Sequence, residues 1–250
     1  TTENISDAVI APKANKIGIQ YKFDKGVLYV ADKVALTFLT MDNGYHGWNI
    51  DLQPNEKIYG GGERALPLNR RGYAFNLYNN PWYGYGEGAD NLNYSVPFFT
   101  SSNGYGLFFD NTSRGKVDIG KSDKNSFQVG FFSGEINVYV ILGQRPKDVL
   151  NAYHTLTGTQ PIPPRWALGN FMSRFGYTSQ EQVESILAQM QKENIPVDAI
   201  IFDLFWFGDS IKKTMGNLDW VNKTKWPDPN NMIAGFKKQH INTILITEPF

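Results

Sequence analysis

The sequence predicts an α+β chain of two domains: an N-terminal antiparallel β-sandwich over residues 1–160, then the opening of a parallel β/α domain over residues 161–250. Three observations carry this reading. From Ile17 to Val140 the chain runs in short alternating or apolar stretches broken by Gly, Asn and Asp. Residues 161–164 read Pro-Ile-Pro-Pro, an extended linker that no helix interior tolerates. Beyond it, apolar strand-like runs alternate with segments of helical period.

In the first part the strand candidates are KIGIQYKF, GVLYVAD, VALTFLT, YGLFFDNT, FQVGFF and INVYVILG, separated by turns such as Asp42-Asn43-Gly44 and Ser102-Asn103-Gly104. Period-2 runs at this spacing suit a sandwich. In the second part, Trp166–Phe171 reads as a strand. Thr178 and Glu181 form a capping box for a helix whose apolar stripe is Val183, Ile186, Leu187 and Met190. Asn194 and Pro196 stop it. Ala199–Phe202 is a second strand, Asp228-Pro229 opens a second helix carrying Met232, Ile233 and Phe236, and Ile241–Thr247 is a third strand. A (β/α)8 barrel needs about 250 residues by itself. The expectation is therefore three of eight barrel strands, with the barrel incomplete, as in a fragment of a longer protein.

Composition narrows the chemistry. Lys plus Arg and Asp plus Glu are 24 each, so nothing in the overall charge draws the chain to nucleic acid. No apolar run is long enough for a membrane span. There is no Cys, which excludes a disulfide framework, a thiolate zinc site and a cysteine nucleophile. His46, His154 and His240 are far apart in sequence, so no metal site and no cofactor is expected. The surplus is aromatic: 6 Trp, 13 Tyr and 17 Phe, rings that either fill a core or stack on sugars.

Asp203 is the leading candidate for chemistry. It ends the run Ala199-Ile200-Ile201-Phe202 and so sits at the carboxyl end of a parallel strand, where barrel active sites are built. Phe205 and Trp206 follow it; a carboxylate accepts from sugar hydroxyls and a ring stacks beside it. The alternative is an Asp that caps its loop. Glu248 ends the third strand in the same way, with a salt bridge as its alternative. The segment from Phe75 to Tyr94 is rich in Gly and aromatics, Trp82 among them, and reads as a binding loop or as a loop packed on its own rings. Tyr59–Ala65, YGGGERA, has the glycines of a phosphate loop but no helix after them, so it reads as a tight turn. No complete catalytic set is visible.

Several stretches together resemble glycoside hydrolase family 31: YGGGER at 59–64, SVPFFTSSNGYGLFFDNT at 95–112, PPRWALGNFMSRFGY at 163–177, IPVDAIIFDLFWFGD at 195–209, WPDPNNMIAGFK at 226–237 and ITEPF at 246–250. The resemblance covers about residue 15 to the end, in family order. It implies a β-sandwich followed by a (β/α)8 barrel. It also implies retaining chemistry on α-linked glucooligosaccharides, by hydrolysis or by glucosyl transfer, with the catalytic pair on later strands beyond Phe250. Asp203 matches the family Asp that ends the second barrel strand and binds sugar hydroxyls; Phe205 and Trp206 match neighbouring aromatic positions. Where many members carry a substrate-contacting Asp in the sandwich loop, this sequence reads Asn79-Asn80-Pro81-Trp82, which implies stacking by Trp82 instead. The partner expected is an α-glucan oligosaccharide, the location extracytoplasmic. A carbohydrate-binding module without turnover is the alternative.

Overall fold

The computed structural model describes residues 21–80, 84–135, 137–209 and 217–247. They divide into two compact units, one ending at Thr159 and one beginning at Gln160.

The first unit is built from β1 (Tyr21–Asp24), β2 (Val27–Val30), β3 (Val34–Thr40), β4 (His46–Asp51), β5 (Ile58–Gly60), β6 (Tyr73–Leu77), β7 (Phe98–Ser101), β8 (Tyr105–Asp110), β9 (Gly115–Ile119), β10 (Ser126–Phe131), β11 (Asn137–Leu142) and helix α1 (Pro146–Thr157). One sheet runs β1-β2-β3-β4-β10-β9-β6, the other β11-β8-β7-β5. Every pair is antiparallel, with Phe127 opposite both Ile50 and Ile119 in the larger sheet. Alternation sends Leu36, Ile50, Val117, Phe127, Val129 and Phe131 inward from that sheet. Phe99 of β7 and Leu107 and Phe109 of β8 meet them from the other. The ring of Phe99 stands edge-on to Phe127 at 5.0 Å and to Phe109 at 6.2 Å, so aromatic pairs close the space between the sheets.

Helix α1 is given no bounds by the sequence, which reads only its His154 as a surface helix residue. Pro146 occupies its first turn, and the Asp148 carboxylate accepts from Arg145 N at 3.1 Å and from the Arg145 guanidinium at 2.8 Å. Its Val149 is buried and its Tyr153 stacks on Phe98 at 3.9 Å, covering the smaller sheet from outside.

The second unit carries β12 (Phe171–Ser173), α2 (Gln180–Lys192), β13 (Ala199–Phe202), α3 (Pro229–Lys238) and β14 (Asn242–Leu245). The three strands pair in parallel in the order β12-β13-β14. Val183 and Leu187 of α2, Met232 and Phe236 of α3, and Ile200 and Phe202 of β13 share one buried cluster. Asp228 caps α3 as read, its carboxylate accepting from Asn231 N at 3.0 Å, with Pro229 in the first turn.

Two details differ from the sequence reading. Arg165–Leu168 forms a 3-10 turn and the strand starts only at Phe171, because Gly169 N folds back to donate to Trp166 O at 3.0 Å. The cap of α2 is Ser179 rather than Thr178: Ser179 Oγ accepts from Gln182 N, and Gln182 Oε1 reaches back to accept from Thr178 N at 2.8 Å. The capping residues have moved one place along.

Candidate active site

The strand β13 decides where Asp203 goes. Ile200 and Phe202 face the helices in the buried cluster, so Ile201 and Asp203 belong to the opposite face of the sheet. Asp203 remains extended, at φ −83° and ψ −176°, which continues that alternation one residue past the strand. Its Oδ1 accepts from Leu204 N at 2.7 Å and caps a 3-10 turn over Leu204–Trp206. Among the described residues nothing donates to Oδ2. The carboxylate is half-buried at the carboxyl end of a parallel strand, with one oxygen held by its own turn and the other without a donor among the described residues.

The aromatic residues that follow take different places. Phe205 is half-buried, and its ring lies 5.2 Å from that of Phe175, in the loop after β12. Phe175 is 60% exposed and offers its ring to solvent. Trp206 is only 3% exposed; its Nε1 donates to Ile246 O at 2.8 Å and so ties the end of β13 to the end of β14. Trp226 Nε1 donates to Phe205 O at 3.0 Å, fixing the turn that Asp203 caps. Trp220 packs at 5.4 Å from Trp206 and 4.9 Å from Trp226. The result is a turn held by indoles, with Asp203 at its start and the Phe205 ring meeting that of Phe175.

Further along this loop, the Asp209 carboxylate accepts from Lys225 Nζ at 3.0 Å and from Asn222 Nδ2 at 2.9 Å. The ammonium holds the Asp209 carboxyl below its ordinary pKa. This pair is exposed and closes the loop rather than forming a reactive carboxyl.

Of the five site residues read from sequence, Asp203, Phe205 and Trp206 come together at one strand end, whereas Trp82 and Glu248 lie outside the described residues. Phe175 was missed. Its only signal is its position two residues after a short strand, in the run Ser173-Arg174-Phe175-Gly176-Tyr177.

In the sandwich unit the loop from β6 to β7 leaves the rings of Tyr78, Tyr85 and Tyr94 more than half exposed. The Gly60–Gly62 run is a turn with φ of 116°, 85° and 89°, and no helix follows. One of its amides and the next one along are already engaged: Gly61 N donates to Phe98 O and Glu63 N to Tyr94 O. A phosphate cradle needs such amides unpaired. Among the described residues no group of three or more His, Asp or Glu side chains could hold a metal, and no helix is long and apolar enough to cross a membrane.

Comparison with known proteins gives two family matches. Residues 3–118 match the glycosyl hydrolase 31 N-terminal galactose mutarotase-like domain, and residues 160–250 the glycosyl hydrolases family 31 TIM-barrel domain. The chain is 32% identical to alpha-xylosidase XylQ of Lactiplantibacillus pentosus across 81% of its own length and 27% of the relative's. It is 30% identical to alpha-glucosidase 2 of Bacillus thermoamyloliquefaciens across 90% of its length and 27% of that protein's. A solved Flavobacterium johnsoniae GH31 dextranase, complexed with glucose, superposes with a TM-score of 0.77 at 27% identity, covering 92% of this chain and 31% of the dextranase. The chain thus spans just over a quarter of the length of these two curated relatives.

Proposed function

Because this chain belongs to glycosyl hydrolase family 31, we propose that it works in the cleavage or transfer of α-linked glucosyl units, with Asp203 holding hydroxyls of the sugar whose bond is broken. The observation that carries the reading is Asp203 Oδ2 at the end of β13, which accepts from no donor among the described residues. A carboxylate there accepts from sugar hydroxyls in charge-assisted hydrogen bonds, and Phe175 and Phe205 supply apolar faces beside it.

The chemistry proposed is retaining. A carboxylate attacks the anomeric carbon while a carboxylic acid protonates the departing glycosidic oxygen; the same group, now a base, then takes a proton from the incoming hydroxyl, which displaces the enzyme carboxylate. Two carboxyls about 5–5.5 Å apart do this work, and Asp203 is neither of them. Its part is to grip the ring as positive charge builds at the anomeric carbon, where a fixed anion is more effective than in water.

Hydrolysis and transfer differ only in whether water or a sugar hydroxyl meets the glycosyl-enzyme. The test is incubation of the full-length protein with maltotriose. Release of glucose and maltose, the first glucose in the α-form, is the hydrolytic outcome; oligosaccharides longer than maltotriose mark transfer. Xylosides belong in the same assay, since one relative is named an alpha-xylosidase. No turnover of any α-glycoside would overturn the proposal.

A further inference from the structure

The glycine run and the arginine after it take no part in that chemistry, yet they are among the most constrained residues of the sandwich. Arg64 is 7% exposed and sits at the base of the loop between β6 and β7. Its guanidinium reaches both limbs of that loop. Nη2 donates to Asn76 O on the entry limb at 2.5 Å, and to Ser95 Oγ on the exit limb at 2.9 Å. Nη1 donates to Tyr94 O at 3.1 Å and also to Glu63 O. The residues on either side add to the clamp. Glu63 Oε2 accepts from Asn93 N at 3.0 Å, while Ala65 donates to Ala89 O and accepts from Gly88 N at 2.8 Å.

The glycines explain how the clamp comes so close. A Cβ on Gly62 would stand 2.7 Å from both Tyr94 O and Val96 N, and one on Gly61 would stand 2.7 Å from the Phe75 ring. Both residues also have φ in the left-handed region, which favours glycine. Only a chain without side chains at these two places brings Arg64 between the limbs. The guanidinium is then bonded to backbone carbonyls and one hydroxyl rather than to a carboxylate. Burial and the neighbouring Arg70 lower its pKa to about 10, as expected of a charge kept for its geometry.

We infer that Arg64 is a positioning residue: it sets the separation of the two limbs of the 76–95 loop, and through that the presentation of the Tyr78, Tyr85 and Tyr94 rings to a glucan chain. The glucan rests on the proposed function above; the clamp itself does not. A planar fork spans three acceptors on two limbs, Asn76 O, Tyr94 O and Ser95 Oγ, whereas the point charge of a lysine serves one limb at a time.

The experiment is Arg64→Lys in the full-length protein, read by amide exchange and by maltotriose kinetics. We expect loop amides at 84–94 to exchange about tenfold faster, the loss expected of one to two hydrogen bonds, with β8 and β10 unchanged. KM should rise by a similar factor with kcat within twofold. Ser95→Ala, which removes a single acceptor, keeps the test available should Arg64→Lys not fold, and should show the same pattern at two- to threefold. Loop exchange unaltered in both variants, or faster exchange spread evenly through β8 and β10, would overturn the inference, as would kcat falling with KM unchanged. If the wild-type protein turns over no α-glycoside, the functional reading fails while the exchange data still judge the clamp.

Discussion

Two tyrosines, one in each unit, are buried to the same 1% exposure and treated in opposite ways. Tyr105 of β8 donates from its hydroxyl to Glu56 Oε1 at 2.6 Å. The same oxygen accepts from Ser101 Oγ, and Glu56 Oε2 accepts from Gln53 N at 2.7 Å. The hydroxyl of Tyr177, after β12, has no partner among the described residues. In the sandwich, Glu56 and Arg70 are engaged by the chain itself, Arg70 through Leu66 O and Pro67 O at 2.8 Å each, and Arg64 through Nη1 and Nη2 though not Nε. At the end of β13, Asp203 has one oxygen without a donor among the described residues. The contrast is between the two phenols rather than between the units as wholes, since Trp48 Nε1 and Arg64 Nε of the sandwich also lack partners among the described residues; a buried group without a partner costs free energy that a folded core rarely tolerates.

The largest effect should come from Asp203. In the full-length protein Asp203→Ala should lower kcat/KM on maltotriose by about 10³, or roughly 4 kcal/mol, through loss of a charge-assisted bond to the sugar. Its melting temperature should hardly move, since the described partner of Asp203 is its own turn. Near-wild-type kcat/KM would place Asp203 with the groups engaged by the chain itself.

The opposite pattern is expected of Tyr105→Phe: activity per folded molecule unchanged, and stability lower by about 1–3 kcal/mol because Glu56 loses a buried donor. The pH dependence follows from the phenol. Burial first, and then the bond to Glu56, hold the Tyr105 hydroxyl above its ordinary value of 10.0. A group raised on folding stabilises fully below its unfolded value and loses that contribution as pH climbs through the folded one. The stability gap between wild type and Tyr105→Phe should therefore be flat below pH 10 and narrow above it. Denaturant titrations of both proteins across that range measure it, and a gap that widened with alkalinity would be inconsistent with a protonated phenol donating to Glu56.

How much of this was legible in the sequence follows from the same physics. Strands such as Ser126–Phe131 are legible because Phe127, Val129 and Phe131 enter the core at every second residue, a period that survives in the sequence although Ser126 and Gly130 are buried too. Helix α1 is not: its cap is Arg145, outside the Ser, Thr, Asn and Asp set that marks a helix start, and much of its anchoring is one tyrosine stacked on a distant phenylalanine. The Trp166–Phe171 run is apolar enough for a strand, but pairing with β13 begins only at Phe171, opposite Ala199. Tertiary pairing, not composition, sets that boundary. The place of Asp203 at a strand end was legible from the apolar run it closes, but the run does not separate a loop cap from a sugar ligand, and the cap is the contact the described residues display. Phe175 was not, since a ring on a loop has no period, and its significance appears only when Phe205 arrives from another strand. Nor does the GGGER run show in sequence which segment it grips.

The smallest effect sharpens the comparison most. Tyr177→Phe deletes a hydroxyl that is buried against Phe202 and Arg174 and bonded to nothing described. Burial holds that phenol above its ordinary pKa, so it stays protonated, a donor in search of an acceptor. Removing it should be neutral or stabilising by up to about 1 kcal/mol, because the desolvation of an unpaired hydroxyl is relieved while the ring contacts remain. Paired thermal melts of Tyr105→Phe and Tyr177→Phe then read two identical chemical changes at equal burial, expected with opposite signs. Should Tyr177→Phe destabilise as much as Tyr105→Phe, its hydroxyl has an acceptor outside the described residues. The two buried phenols would then be alike, and the comparison would rest on Asp203, whose second oxygen has no donor among the described residues.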